Sequence, residues 1–325
     1  MFAPCPLPKS PPDCTPGTEY YQAYTRCLEL ELASNDIREN NTWHFTPLLA
    51  ARVLGYLLIH APTEDGRSLL SREITASTDT EALHLLGRKY NDNLIRVFQR
   101  SRTATPHVLD GDERNDISDS ALAELATEHW IMRHRALIRD GFQCPLTGYH
   151  EFSINYPKRS ETRAAHIIPV FEKVNTAGVK PVLALFERYG GISITDELLG
   201  KDAHRLENLI TLQLNAHIFF RVLNIWLEKT PVPNEYRLEA KHNAYVGNRP
   251  IGDNRIITFS SSELGYSPPS PRYLALHAAC AKTAFLSGVG QWNERIMEDL
   301  QWSSSLDSQG QSADLLAAAL TRVDL

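Results

Sequence analysis

The spacing of apolar residues changes along the chain, and this change limits the folds open to it. From Glu19 to Arg100 apolar residues recur at the interval of an amphipathic helix. After Gly141 apolar stretches are short, and several alternate with polar residues as half-buried strands do. The helical spacing is clearest in Leu48, Leu49, Val53, Leu54, Leu57 and Leu58. The alternation is clearest in residues 224–228, 236–239 and 255–259. We therefore predict an α+β fold with an N-terminal helical region and a small antiparallel sheet.

Turn and loop residues divide the chain into four predicted segments. Residues 1–18 are rich in proline and lack apolar periodicity, so we expect a flexible lead. Residues 19–119 form the helical region and a polar linker, and residues 301–325 form a polar tail. Between them, residues 120–300 are predicted to form a second domain. A C-terminal helix around Tyr273 to Phe285 is expected to pack across the core of this domain.

The longest apolar stretches are too short to cross a membrane. The stretch from Val53 to Ile59 falls far below the roughly 20 residues that a spanning helix needs. The prolines at the start of the chain do not fit a secretory signal peptide, which needs a basic start followed by an apolar run. We expect an intracellular protein, cytoplasmic or nuclear, that has no membrane partner.

The cysteines do not form a recognisable framework. The chain has 5 cysteines, an odd and scattered set in which no two residues have CxxC spacing. This pattern predicts reduced thiols and argues against a zinc finger. Cys144 stands alone in a turn, where a small buried side chain is the simpler interpretation than a metal ligand.

The overall charge limits how the chain could bind nucleic acid. Its formal net charge is -6, whereas sequence-independent binding is driven by positive charges that neutralise phosphates. A nucleic-acid surface would therefore have to be local.

Three short strings, in this order, carry a family resemblance: RDGFQCPLTG (Arg139 to Gly148), AAHIIP (Ala164 to Pro169) and ENLITLQLNAHIFF (Glu207 to Phe220). Together they resemble the HNH nuclease domain found in many fungal proteins, a member of the ββα-metal superfamily. The later string LALHAACAKTAFLSG (Leu274 to Gly288) is similar to the segment that follows this domain. The resemblance implies a ββα-metal core: two strands, then a short helix, around a metal site.

The resemblance also assigns roles to three residues. His166 matches the general base at the end of a strand, a task that suits histidine because its unperturbed pKa of roughly 6.5 lies near neutral pH. His217 matches the metal ligand on the following short helix, and Asn208 matches the asparagine that braces the connecting loop. We expect His166 and His217 to face one shared cleft.

Two positions depart from the pattern of the family. Many relatives carry an aspartate before the base as a second metal ligand, and this chain has Ala165 there. Four residues after His217, where relatives often have aspartate, it has Arg221, on the same helix face as His217. Arg221 could grip a phosphate or mark a site that has lost catalysis. Arg139 and Arg163 are further candidates for phosphate contacts, with surface salt bridges as the alternative.

Each histidine also has a plainer interpretation. An isolated histidine in an apolar strand, such as His166, is more often a hydrogen-bonded core residue, and His217 beside two phenylalanines could simply pack. His204, close to Asn208, could enter the site or be a solvated loop residue.

The resemblance implies a metal-dependent endonuclease that hydrolyses phosphodiester bonds of DNA, with RNA the second choice, and leaves a 5′-phosphate. The expected cofactor is Mg²⁺ or Mn²⁺, with Zn²⁺ less favoured. Two alternatives stay open, because a fold does not dictate its function. One is an inactive HNH scaffold with an interaction or regulatory role, and the other is a scaffold used for a small-molecule reaction.

Overall fold

The computed structural model describes residues 4–12, 15–34, 44–100, 130–171, 179–246, 255–260 and 264–302. The predicted linker from Thr103 to Asp119 and the tail beyond residue 302 lie outside these ranges.

The described residues form helices and short strands, so the predicted α+β class is confirmed. The helices are α1 (Glu19–Ser34), α2 (Pro47–Ile59), α3 (Glu64–Ala76), α4 (Thr80–Tyr90), α5 (Arg96–Arg100), α6 (residues 130–139), α7 (Val179–Arg188), α8 (Ile194–Glu197), α9 (Leu214–Arg221), α10 (Pro271–Ser287) and α11 (Val289–Trp302). The strands are β1 (His150–Glu151), β2 (Arg159–Ser160), β3 (Thr162–His166), β4 (Leu209–Gln213), β5 (Ile225–Lys229), β6 (Glu235–Ala240) and β7 (Ile256–Thr258). Within these ranges, no helix is both long and apolar enough to cross a membrane.

The chain divides into two compact units. The first unit takes the described residues up to 99, those within 173–193 and those from 279 onward; the second takes those within 100–172 and 194–278. This division departs from the predicted limits of 19–119 and 120–300, because α7 and the end of α10 join the N-terminal helices. In the first unit, for example, Phe186 of α7 stacks on Phe98 of α5 with ring centroids 5.8 Å apart.

The first unit is built around α2. This helix is apolar on most of its circumference, and it packs against α1, α3 and α4. Its start is fixed by the side chain of Thr46, which accepts a hydrogen bond from the backbone amide of Leu49, and by Pro47 in the first turn.

Residues 4–12 pack against these helices, so the expectation of a flexible lead is wrong for this segment. The amide of Leu7 donates to the buried carboxylate of Glu31 at 2.9 Å, and the hydroxyl of Tyr24 donates to the carbonyl of Pro8 at 2.6 Å. The side chain of Leu7 is 5% exposed and lies over Gly55, where an added Cβ would come within 2.6 Å of it. Proline-rich backbone has few donors but keeps its carbonyl acceptors, and a buried tyrosine hydroxyl can use them.

The second unit contains two separate antiparallel arrangements. Strands β5, β6 and β7 form the three-stranded sheet that the alternating residues predicted. Strands β3 and β4 pair from Thr162 opposite Gln213 to His166 opposite Leu209. Helix α9 follows β4 without a loop and contacts β3, β4 and β5. The first half of α10 packs on α9, where the ring of His277 stacks on that of Phe220 with the ring centroids 3.8 Å apart.

We predict that Leu7→Ala lowers the free energy of unfolding by about 2 kcal/mol, because it empties a buried site between helices. Leu32→Ala on α1 is the control, since Leu32 is 64% exposed and its truncation should change stability by less than about 0.5 kcal/mol. Urea unfolding followed by circular dichroism measures both. Equal stabilities of the two variants would show that residues 4–12 are not docked.

Candidate functional site

Asn208 is the centre of the candidate site and is 0% exposed. Its Oδ1 accepts a hydrogen bond from the amide of Ile168 at 2.8 Å, and its Nδ2 donates to the carbonyl of Ile168 at 3.1 Å and to that of Ala203 at 2.9 Å. Ile168 lies two residues after His166, and Ala203 directly precedes His204. One buried amide therefore ties together the two segments that carry these histidines.

His166 and His204 form a pair at the end of β3. Nε2 of His166 lies 2.9 Å from Nδ1 of His204, and the ring centroids are 5.0 Å apart with the planes tilted by 58°. Both side chains are half-buried. His204 ends the 3₁₀ turn Gly200–His204, which precedes β4. A distance of 2.9 Å is that of a hydrogen bond, so one ring donates and the other accepts.

His217 lies on α9 and is 6% exposed. The helix starts at Leu214 because the side chain of Gln213 accepts a hydrogen bond from the amide of Ala216. Burial is the main cause that lowers the pKa of His217 to about 4, and the positive charges of Arg221 and Arg163 lower it further. His217 is therefore a neutral imidazole at pH 7, the form in which histidine binds a metal.

Arg163 and Arg221 both act on His217, from different elements. Arg221 follows it by one helical turn, as the sequence predicted, and Arg163 comes from β3. Nη2 of Arg163 also makes a 2.5 Å ion pair with Glu161, and the two side chains of this pair are 36% and 45% exposed. Such an exposed pair contributes at most about 1 kcal/mol, so a bound phosphate could compete with it.

Alternation along β3 separates the candidate residues into two groups. Successive strand side chains point to opposite faces, so Arg163 shares a face with Ala165, and His166 lies on the other. The structure thus brings together Arg163, His217 and Arg221 as one group, and His166 with His204 as another. That the two groups face one cleft stays a prediction.

Arg139 does not belong to either group, and the prediction that it contacts substrate is corrected. Its side chain is 1% exposed. Nε and Nη2 donate to the carboxylate of Asp140 at 2.7 and 2.9 Å, Nη1 donates to the carbonyls of Leu206 and Ser267, and Nη2 also donates to that of Leu209. All five N–H groups of a guanidinium are used in this way. Arg139 is a structural residue that holds no donor for a phosphate.

Asp140 adds a second hydrogen bond to β4, next to the one that Arg139 makes. Its Oδ2 accepts a hydrogen bond from the amide of Thr211 at 2.9 Å, while Arg139 donates to the carbonyl of Leu209. In an antiparallel pair alternate residues direct their amide and carbonyl away from the partner strand. Leu209 and Thr211 are such residues, because the ladder bond from Ile167 to Asn208 sets the alternation. The side chains of Arg139 and Asp140 thus form hydrogen bonds with the edge of β4 that faces away from β3.

Among the residues that the structure describes, His217 is the candidate ligand for a divalent cation. In the part of the chain that the structure describes, no group of three or more His, Cys, Asp and Glu side chains could hold a metal ion. Ala165 is 0% exposed and supplies no donor at the position where the HNH pattern that the strings resemble has an aspartate. A Mg²⁺ or Mn²⁺ ion would therefore have one protein ligand, with water and substrate oxygens as the others.

No family model, curated protein or solved structure matches this chain. The resemblance to the HNH nuclease domain therefore rests on the strings themselves.

His204 is the residue of this site to which sequence analysis assigned no role. It precedes Asn208 by four residues in a polar stretch, and that position alone does not separate a solvated loop histidine from a partner of His166. Only the folding of the turn back onto the end of β3 reveals the pairing.

We predict that Arg139→Met lowers the free energy of unfolding by about 3 kcal/mol or more, because it leaves the buried carboxylate of Asp140 without its counter-charge. The matched control is Arg135→Met, one turn earlier on α6, where the arginine is exposed. Adding Asp140→Asn to Arg139→Met should recover part of the loss. Chemical unfolding measures all three variants, and equal stability of the two single variants would contradict the structural role of Arg139.

Proposed function

We propose that the second unit is an HNH-type endonuclease that hydrolyses phosphodiester bonds of DNA, with a divalent metal as cofactor. His166 is the general base, His217 the metal ligand and Asn208 the brace between them. The observation that carries this proposal is the set of three hydrogen bonds of the Asn208 side chain, which fixes the end of β3 next to the entry of β4. Helix α9, which carries His217, follows β4 directly.

The residues of the chain have distinct tasks in this proposal. His166 accepts a proton from water as the water oxygen attacks phosphorus. The bond from phosphorus to the 3′-oxygen then breaks, which leaves a 5′-phosphate, and the departing oxygen takes a proton from solvent. Arg163 and Arg221 hold the non-bridging oxygens through charge-assisted hydrogen bonds. A cation bound by His217 would stabilise the negative charge that develops on the departing oxygen.

A second candidate is a nucleic-acid-binding unit that does not cleave. It is favoured by the two arginines around His217 and by Ala165, which together supply positive charge for an anion but add no ligand for a cation. In this candidate the brace and the arginines keep their roles, and His166 is a structural residue.

We predict that the purified protein nicks supercoiled plasmid with Mg²⁺ or Mn²⁺ and that chelator abolishes the nicking. His166→Ala should reduce the nicking rate by about 100-fold or more, the usual contribution of a general base, while the affinity for DNA is kept. The control His242→Ala removes an exposed histidine of the same unit and should leave the rate unchanged. Gel electrophoresis measures nicking, and fluorescence anisotropy measures binding.

The outcomes separate the two candidates. Binding of DNA without nicking, under both metals, would overturn the endonuclease and favour the non-cleaving unit. Failure to bind single-stranded or duplex DNA, or RNA, would overturn both.

We further predict that Arg221→Ala weakens DNA binding and reduces the slope of log affinity against log salt by about one, because one phosphate contact is lost. The control is Arg237→Ala, which removes an exposed arginine from β6. Anisotropy titrations over a salt series give both slopes. If the two variants have the slope of the unmodified protein, Arg221 does not contact phosphate.

A further inference from the structure

His204, for which the sequence left a place in the site or a solvated loop position open, lies within hydrogen-bond distance of the proposed base. Nδ1 of His204 is 2.9 Å from Nε2 of His166. We infer that His204 is a positioning residue that fixes the tautomer of His166, so that Nδ1 of His166 is the nitrogen that accepts a proton. The catalytic consequence rests on the proposed function of His166, whereas the hydrogen bond itself does not.

Two tautomeric arrangements fit this distance, and they differ in what His166 can do. If His166 accepts at Nε2, its own proton sits on Nδ1, and the ring must give up the bond to His204 before it acts as a base. If His166 donates from Nε2, its Nδ1 carries the lone pair and the bond is kept. The second arrangement also places the proton of both rings on Nε2, which is the tautomer that free neutral histidine favours. We therefore assign His166 as donor and His204 as acceptor.

The hydrogen bond gains strength when His166 takes up a proton. An imidazolium donor forms a charge-assisted hydrogen bond, which is stronger than one between neutral groups. His204 then stabilises the protonated ring more than the neutral ring, as the carboxylate does in a Ser-His-Asp triad. This difference favours the transition state over the ground state, which is what accelerates a reaction.

The backbone holds His204 in place for this task. The carbonyl of Ala203 accepts a hydrogen bond from Asn208, and the amide of Asn208 in turn donates to the carbonyl of Arg205 at 2.9 Å. His204 therefore sits between two residues that are both bonded to the brace. Gly200 opens the turn with a φ of 58°, a conformation that glycine adopts without strain.

The test compares two substitutions that differ in where they place an acceptor. In His204→Asn the side-chain oxygen can occupy the position of Nδ1, whereas in His204→Gln it reaches the position of Nε2. ¹⁵N NMR of the ring nitrogens of His166 at neutral pH, assigned with His166→Gln, reports which nitrogen carries the proton. We expect the Nε2–H form in the unmodified protein and in His204→Asn, and a mixture of tautomers in His204→Gln and His204→Ala.

Nicking assays on the same variants report the catalytic consequence. His204→Ala and His204→Gln should lower kcat by about 10- to 100-fold with KM unchanged, the effect expected for one charge-assisted hydrogen bond, and His204→Asn should restore most of the loss. Lys201→Ala, an exposed position in the same turn, is the control.

A His166 tautomer that is the same in all folded variants overturns the inference, and so does an Nδ1–H form in the unmodified protein. If His204→Ala does not fold, the ¹⁵N signals of His166 in His204→Asn and His204→Gln are compared instead and decide the question. A tautomer that responds to His204 in a protein that nicks no DNA supports the positioning role of His204 and rejects the endonuclease, so the two failures are distinguishable.

Discussion

The arrangement of the second unit depends on one buried amide. All three side-chain hydrogen bonds of Asn208 go to backbone groups of segments far apart in sequence, 168 and 203. A buried polar group costs free energy unless it is bonded, so this set of bonds forms as a whole or is strongly unfavourable. Through it the positions of His166, His204 and the start of β4 are coupled. Any substitution that moves one of these segments changes the geometry of the others.

In the proposed function, the charge around His217 couples the binding of substrate to the binding of metal. Burial and, after it, the positive charges of Arg221 and Arg163 lower the pKa of His217 to about 4, which keeps its lone pair available at neutral pH. The charges of Arg163 and Arg221 would repel a metal ion that approached His217 by itself. A phosphate would reverse this repulsion, because it neutralises the arginines and adds oxygen ligands of the kind that Mg²⁺ prefers. In the proposed function substrate and metal therefore bind together, each strengthening the binding of the other.

Local patterns in the sequence predict the helices and strands. Side-chain partners determine how the segments pack and how individual side chains are used. The α+β class, the small antiparallel sheet and the helix around Tyr273 to Phe285 follow from apolar spacing, which is a property of each segment alone. The docking of Leu7 depends on Glu31, and the burial of Arg139 depends on carbonyls at 206, 209 and 267. No spacing rule reports such pairings. An arginine in a motif does not reveal how its donors are used. The sequence therefore makes Arg139 a candidate for a phosphate contact, with a surface salt bridge as the alternative.

The contacts of Arg139 and Asp140 with β4 also bear on how this unit meets other chains. A strand with one unbonded side is a template on which a strand of another molecule can add. Here two side chains supply the donor and the acceptor that such a strand would offer to Leu209 and Thr211. An intruding chain would first have to displace a buried ion pair, which closes this stretch to self-association and to fibril growth. The ion pair thus occupies the two backbone groups of β4 to which an added strand would otherwise bond.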